Sequence, residues 1–399
     1  MKNIKLRIGL LGRIAIAIAL GIGAAFIFPH WLVRSFATFG SIFSSFLGFT
    51  IPLLIVGFVA PAIADIGRRA GAMLLTTVLI AYAMTLGSGM LAYFSASEIF
   101  PQLITPGSFN EETQAAAQSA QPFFTLSIAP LMSVMTALVL AFVLGFACAV
   151  RPEETATLKR CIDEFRAVIN LLIMKIIIPL LPIYIFNIFL DMTVTGAVAP
   201  VLVTFFKIIA VIFALHILLL VAQYCIASLF SGYNPLRSLK TMLPAYATAL
   251  GTQSSAATIP VTLEQTIKMG VSKDVAGFVI PLCATIHMSG STLKIVCCAA
   301  ALMIAKGMPL DATTFIGFVA MLGITLVAAP GVPGGCIMAS LGILSSMLGF
   351  SEADNALMIA LYIAMDSFGT ACNITGDGAI AQIIDRLFGR SKVAALAAE

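Results

Sequence analysis

Apolar residues run along this chain in blocks long enough to cross a bilayer, and polar residues collect at the joints between them. Blocks of this kind recur at about 14–33, 36–63, 73–94, 123–150, 168–190, 197–229, 275–305 and 356–384. A membrane helix needs roughly 20 apolar residues to cover about 30 Å of hydrocarbon. The pattern therefore predicts eight transmembrane helices in an all-α integral membrane protein. After Lys240 it changes. The stretch TMLPAYATALGTQSSAATIPVTLEQTIKMG holds two short apolar pieces broken at 251–255, and ATTFIGFVAMLGITLVAAPGVPGGCIMASLGILSSMLGF repeats the design with a break at 330–335. No single piece spans alone. Each pair predicts a re-entrant helical hairpin, at about 241–273 and 311–350. Irregular backbone at membrane depth is tolerated only where protein or a wet cavity satisfies its polar groups. Paired Gly/Pro-broken segments in two halves of a chain point to inverted repeats around a transport site.

Composition agrees with this reading. Sixty per cent of the 399 residues are hydrophobic, 10% are charged, and mean hydropathy is +1.07; soluble domains carry about 25% charged residues. The net charge of +4 comes from the distribution of Lys and Arg and is no sign of nucleic-acid binding. With the N-terminus inside, seventeen of the 22 basic residues fall on the cytoplasmic side, Arg34 and Lys306 outside, and Lys175, Lys207 and Lys294 in or near spans. The positive-inside rule then places both termini in the cytoplasm, with the inner or plasma membrane as the expected location. The first span is longer than a signal core and reads as retained. The eight cysteines show no C-x-x-C spacing and mostly lie in spans, where small apolar side chains are expected and no metal or disulfide framework is. The first 240 residues read as scaffold, with one polar outside segment, 95–121, and one charged inside loop, 151–166.

Chemistry concentrates in two places. Asp366 and Asp377 lie well inside the predicted spans, in LYIAMDSFGTACNITGDGAIAQII. At 100° per residue Asp366, Thr370, Asn373 and Asp377 fall within an arc of roughly 60° and form one polar stripe. An ionised residue at that depth costs at least about 2.5 kcal/mol, so such groups face a partner or an ion path. The second place is CATIHMSGSTLK, residues 283–294, in which His287, Ser289 and Lys294 interrupt an oily run.

GTQSSAATIP, GVPGG and DSFGTACNITGD resemble the first hairpin tip, second hairpin tip and last helix of the dicarboxylate/amino acid:cation symporters, the glutamate-transporter relatives. The resemblance is strong from about Ala245 to Asp385 and rests before that on the number and spacing of spans. It implies a homotrimer of elevator transporters. Scaffold and trimerisation helices would occupy 1–72 and 123–196, and a transport domain 73–122 and 197–399. It further implies that Asp366 binds the α-ammonium of an amino acid. Asn373, with the Ser254–Ser255 tip, would hold the α-carboxylate, and Gly369 and Thr370 would line the site. Val332, Pro333 and Gly334 belong to the second tip, which would close as a gate. Asn373 and Asp377 would bind a coupling Na⁺. No other cofactor is implied, and no enzyme activity is expected.

The departures from the family carry as much. Acidic-substrate members place an arginine at the position of Gly369 or of Gln253, and neither position has one here. A distal substrate carboxylate would be buried without its bidentate partner, which favours a small neutral amino acid. Lys294 as a counter-charge keeps open the alternative of an acidic amino acid or C4-dicarboxylate. The family's N-M-D-G-T reads His287-Met288-Ser289-Gly290-Ser291, and Leu79 and Ile80 stand where members carry hydroxyl ligands. At least one sodium site is thereby expected to be dismantled. His287 is able to carry a coupling proton near neutral pH, and Lys294 to stand in for a sodium ion beside an aspartate. The plainer readings are a core histidine and a lysine that snorkels to the interface. A remote alternative is an intramembrane hydrolase using Ser254 or Ser255 with His287, but no G-x-S-x-G elbow surrounds either serine.

Overall fold

The computed structural model describes residues 10–68, 72–107, 121–196, 198–327, 329 and 334–389, and the regular structure among them is helical throughout. In chain order the helices are α1 (Leu10–Ala24), α2 (His30–Arg68), α3 (Ala72–Leu103), α4 (Val134–Val150), α5 (Ala156–Leu172) and α6 (Ile178–Val194). They continue as α7 (Val198–Ser231), α8 (Pro235–Thr252), α9 (Ser255–Lys268), α10 (Lys273–Ile286) and α11 (Ser289–Ala305). The last are α12 (Ala312–Val327), α13 (Gly335–Leu348), α14 (Glu352–Ala364) and α15 (Asp366–Ile384).

Five helical stretches are long and apolar enough to cross a membrane: His30–Pro61, Ala72–Leu103, Ala156–Val194, Val201–Ser231 and Lys273–Ala305. The pair Glu352–Ala364 and Asp366–Phe388 passes the same test together, bent by 63°. This is an integral membrane protein. The first and fourth expected spans appear as shorter apolar helices, Gly12–Ala24 and Val139–Val150.

Three boundaries differ from expectation, each for a local reason. The expected span over 123–150 is helical only from Val134. Pro130 pushes the residue before it out of helical backbone, and the Ser133 hydroxyl caps the new start by accepting from the Thr136 N–H at 3.1 Å. The charged loop expected over 151–166 is helical from Ala156, and Lys159 pairs with Asp163 one turn on, at 2.6 Å. Between α5 and α6, residues Ile173–Ile177 widen into a π turn. Pro179 has no N–H to return to the preceding turn, so the ladder is rearranged rather than ended.

Helix ends fall at both Gly- and Pro-rich breaks. α8 ends at Gln253, whose backbone is left-handed (φ 53°) and whose N–H reaches Ala249 O at 2.9 Å; Ser254 then caps α9 by accepting from Ala257 N. α12 and α13 pack together on either side of the second break, and Gly334, at φ 77°, opens α13. Val332 and Pro333, expected at that tip, lie outside the described residues.

Packing divides the helices into two groups. α2 packs on α4, α5 and α6, and α1 on α6. The other group centres on α11, buried along its whole length between α3, α7 and α15, with α8, α9 and α10 against α15. The two groups touch at several places: α13 packs on α2 and α4, α12 on α2, α14 on α1 and α6, and α6 on α7. Six of the eight cysteines are buried as small apolar side chains.

Candidate functional site

α10 and α11 are one span interrupted at its middle. His287 is extended (φ −96°, ψ 105°) and Met288 leads into the new helix. Such a break leaves the first N–H groups of α11 without intrahelical partners. Asn373, from the middle of α15, supplies them: its Oδ1 accepts from Gly290 N at 2.7 Å and Ser291 N at 3.2 Å, while its Nδ2 donates to Ser291 Oγ at 3.0 Å. Gly290 has to be glycine for this approach. A Cβ there would lie 2.6 Å from Cys372 Cβ and 2.7 Å from Gly369 O.

The polar stripe of α15 is fully buried and meets this break along its length. Each of its two carboxylates has a cationic or cationisable partner from the broken span. Lys294 Nζ lies 3.0 Å from Asp366 Oδ1, and His287 Nδ1 lies 2.9 Å from Asp377 Oδ1. The lysine does not snorkel: its side chain has no solvent exposure. Nζ also donates to Met365 O at 3.4 Å and sits 3.4 Å from the centroid of the Tyr362 ring. The other oxygen of Asp366 accepts from Gly334 N, at the second hairpin, at 2.8 Å. The lysine stem crosses Gly369 so closely that a Cβ there would stand 2.7 Å from Nζ. Thr370 is buried beside this pair in sequence.

The first 240 residues are not chemically quiet, contrary to expectation. His216 and Gln223 of α7 are buried and turn onto the break. His216 Nε2 lies 3.0 Å from Gly290 O, so that nitrogen carries the ring proton. Gln223 Nε2 donates to Ser289 Oγ at 3.0 Å and lies 3.4 Å from His287 Nε2. Thr85 of α3 reaches Met288 N at 3.4 Å. The signal for the α7 residues is present in the sequence: positions seven apart on a helix share one face.

Two oxygens beside His287, Asp377 Oδ2 and Gln223 Oε1, are buried without a hydrogen-bond partner among the described residues. Hard oxygen donors of this kind suit a small cation such as Na⁺. The imidazole offers a second way to balance the Asp377 charge, by a proton. The hydrolase geometry is not favoured, since His287 turns its nitrogens to Asp377 and Gln223 while Ser254 caps α9.

The sequence profile of the sodium:dicarboxylate symporter family matches residues 10–387. The chain belongs to this family. Among its curated relatives is the serine/threonine transporter SstT of Acinetobacter baylyi, 27% identical over 397 residues that cover 94% of this chain and 97% of that protein. The SstT of Acinetobacter baumannii is 27% identical over 403 residues, covering 95% and 97%. Membership extends over α1 to α15, well beyond the region where the hairpin and last-helix motifs carry the resemblance.

Proposed function

We propose that the protein is a secondary active symporter that takes up a small neutral amino acid together with a cation, H⁺ and/or Na⁺, by an elevator movement. The observation that carries this reading is that both buried carboxylates of α15 are balanced from within the broken span. Neither residue 369 nor residue 253 is an arginine that would pair a distal substrate carboxylate, and burying one unpaired is costly. The serine/threonine transporters of Acinetobacter support the same substrate class.

In this reading Asp366 receives the substrate ammonium, Asn373 and the Ser254–Ser255 tip its carboxylate, and Gly369 and Thr370 line the site. The tip at 332–334 closes over it. Asp377, with Asn373, His287 and Ser289, forms the coupling centre, and Na⁺ when bound adds positive charge next to Asp377. The moving body comprises 73–122 and 197–399 and the scaffold 1–72 and 123–196, with eight spans and two re-entrant hairpins, both termini cytoplasmic, in a homotrimer. Support comes from the packing, in which α11 holds α3, α7 and α15 together while α1 and α2 pack with α4 to α6.

One observation favours a second reading, transport of an acidic amino acid or C4-dicarboxylate: Lys294 brings its ammonium to the place where an arginine on residue 369 would emerge. Uptake of radiolabelled serine, alanine, threonine, aspartate and succinate into proteoliposomes decides between them. Uptake restricted to aspartate or succinate would reject the neutral-substrate reading.

A further inference from the structure

We propose that the slot between α2, α13 and α14 is a second binding site, separate from the transport centre, that takes a primary ammonium carried on a short apolar chain. This goes beyond the symporter reading and does not depend on it.

The slot is a cavity of about 270 Å³ built from one face of each helix. Glu352, Asn355 and Ile359 line it from α14, and Ser44, Leu47 and Ile51 from α2. Spacings of three and four residues put each set on a single helix face. Ser44 bonds to Glu352, and from that contact both helices run on into apolar residues, so the slot has a polar end and an oily one. Leu341 and Ser345 close it from α13. None of the residues proposed to hold substrate or the coupling cation lines it.

At the polar end the hydroxyl donors are already spent. Tyr184 OH donates to Ser44 Oγ at 3.4 Å, and Ser44 Oγ donates to Glu352 Oε2. Two acceptors are left over. Glu352 Oε1 is turned toward Gly48, 4.0 Å from where a Cβ there would stand. Asn355 gives its Nδ2 to Ser345 Oγ at 2.7 Å, and its Oδ1 is buried with no hydrogen-bond partner among the described residues. Asn355 is 8% exposed, and a buried acceptor left unpaired calls for a ligand or a water. The charge of Glu352 is unmatched as well. Lys306 is taken by Asp354 at 2.7 Å, and among the described residues no Lys or Arg pairs with Glu352.

A group that donates several hydrogen bonds, carries positive charge and trails an apolar body meets all of these conditions. Small-ligand sites are built in this way, with apolar walls and a few placed polar groups. An anionic ligand would be repelled by Glu352, and a purely apolar one would leave Asn355 Oδ1 unpaired. Ser44, Tyr184 and Glu352 also line a second cavity of about 560 Å³, so the two spaces meet at the charged end of the slot.

The test is a titration of the purified protein in detergent with hexylammonium chloride, with thermal unfolding as the readout. An occupant that binds the folded protein alone raises the midpoint saturably, and this is expected of the wild type. Hexanol and hexanoate, which carry the same chain, are expected to give no such rise. E352Q removes the charge and is expected to need at least about tenfold more amine for the same shift, as for a lost hydrogen bond to a charged group. G48L keeps every charge, and its side chain starts 4.0 Å from Glu352 Oε1 and fills the slot. The amine effect is expected to vanish there, and this variant carries the test if E352Q does not fold. No saturable rise in the wild type, a wild-type response in either folded variant, or an equal rise with hexanol overturns the proposal. Nanodiscs of phosphatidylcholine with and without phosphatidylethanolamine separate the two sources of such a group. A hexylammonium response that weakens with phosphatidylethanolamine assigns the site to a lipid headgroup, and an unchanged response assigns it to a dissolved amine.

Discussion

Lys294 and Asp366 stand 72 positions apart in the chain and meet at 3.0 Å in the interior of the helical bundle. Removing one partner of such a pair leaves the other charge buried, a loss of about 3–5 kcal/mol, whereas removing both is far less costly. K294M is therefore expected to lower the midpoint of thermal unfolding in detergent markedly, and K294M/D366N to recover most of the loss. Additive effects of the two substitutions would mean that the pair does not interact energetically.

How much of this is legible in the sequence depends on the range of the contact. The hairpin tips and the Asp366–Asp377 stripe announce themselves locally, through Gly/Pro breaks and helical spacing. The partners of the two aspartates do not: His287 reaches Asp377 across 90 positions and Lys294 reaches Asp366 across 72, and periodicity says nothing about which helices touch. By sequence Lys294 is equally able to snorkel, and only its enclosure by Tyr362, Met365 and Gly369 decides the matter. His216 and Gln223 escape sequence reasoning for a related cause. Single polar residues in a long apolar helix resemble surface exceptions, and their face becomes informative only once α7 is seen to pack on α11 and α15. The start of α4 at Val134 and the helical turns after Ala156 differ from expectation because hydropathy averages over prolines and over amphipathic turns alike.

His287 and Asp377 lead to a prediction about the driving ion. His287 Nδ1 lies 2.9 Å from Asp377 Oδ1, so a proton taken up by this pair is one candidate for the coupling cation. Lowering external pH at constant sodium is expected to stimulate uptake, and H287Q to abolish the stimulation. Strict sodium dependence with no response to an imposed pH gradient in the wild type would sink proton coupling and leave Asp377 Oδ2 and Gln223 Oε1 as cation ligands.

Gly290 gives a packing prediction. A methyl group there would stand 2.7 Å from a backbone oxygen, Gly369 O, and 2.6 Å from Cys372 Cβ, and neither is the end of a flexible chain. G290A is expected to force α11 away from α15, at about 1–3 kcal/mol, and to disturb the two N–H bonds to Asn373. A lowered unfolding temperature together with lost uptake is the expected outcome; a G290A protein of wild-type stability would show that the two helices yield at this crossing.

Gly369 is where substrate class is expected to be decided. In the reading proposed above, an arginine there would serve an acidic substrate, because a guanidinium forms two parallel bonds to a carboxylate. In this chain the space is taken, since the first side-chain atom at 369 would already lie 2.7 Å from Lys294 Nζ. G369R alone is therefore expected to fold poorly and to transport little. In G369R/K294M the shorter, uncharged side chain at position 294 leaves room, the single cation of the site moves from residue 294 to residue 369, and its fork is free to meet a distal carboxylate. A hydrogen bond to a charged group contributes about 1.5–3 kcal/mol, so aspartate is expected to compete with radiolabelled serine about tenfold to a hundredfold better than in the wild type. Competition unchanged in a folded double variant would mean that the proposed preference for a neutral side chain is not set at residue 369, and would move the search to Gln253 at the break between α8 and α9.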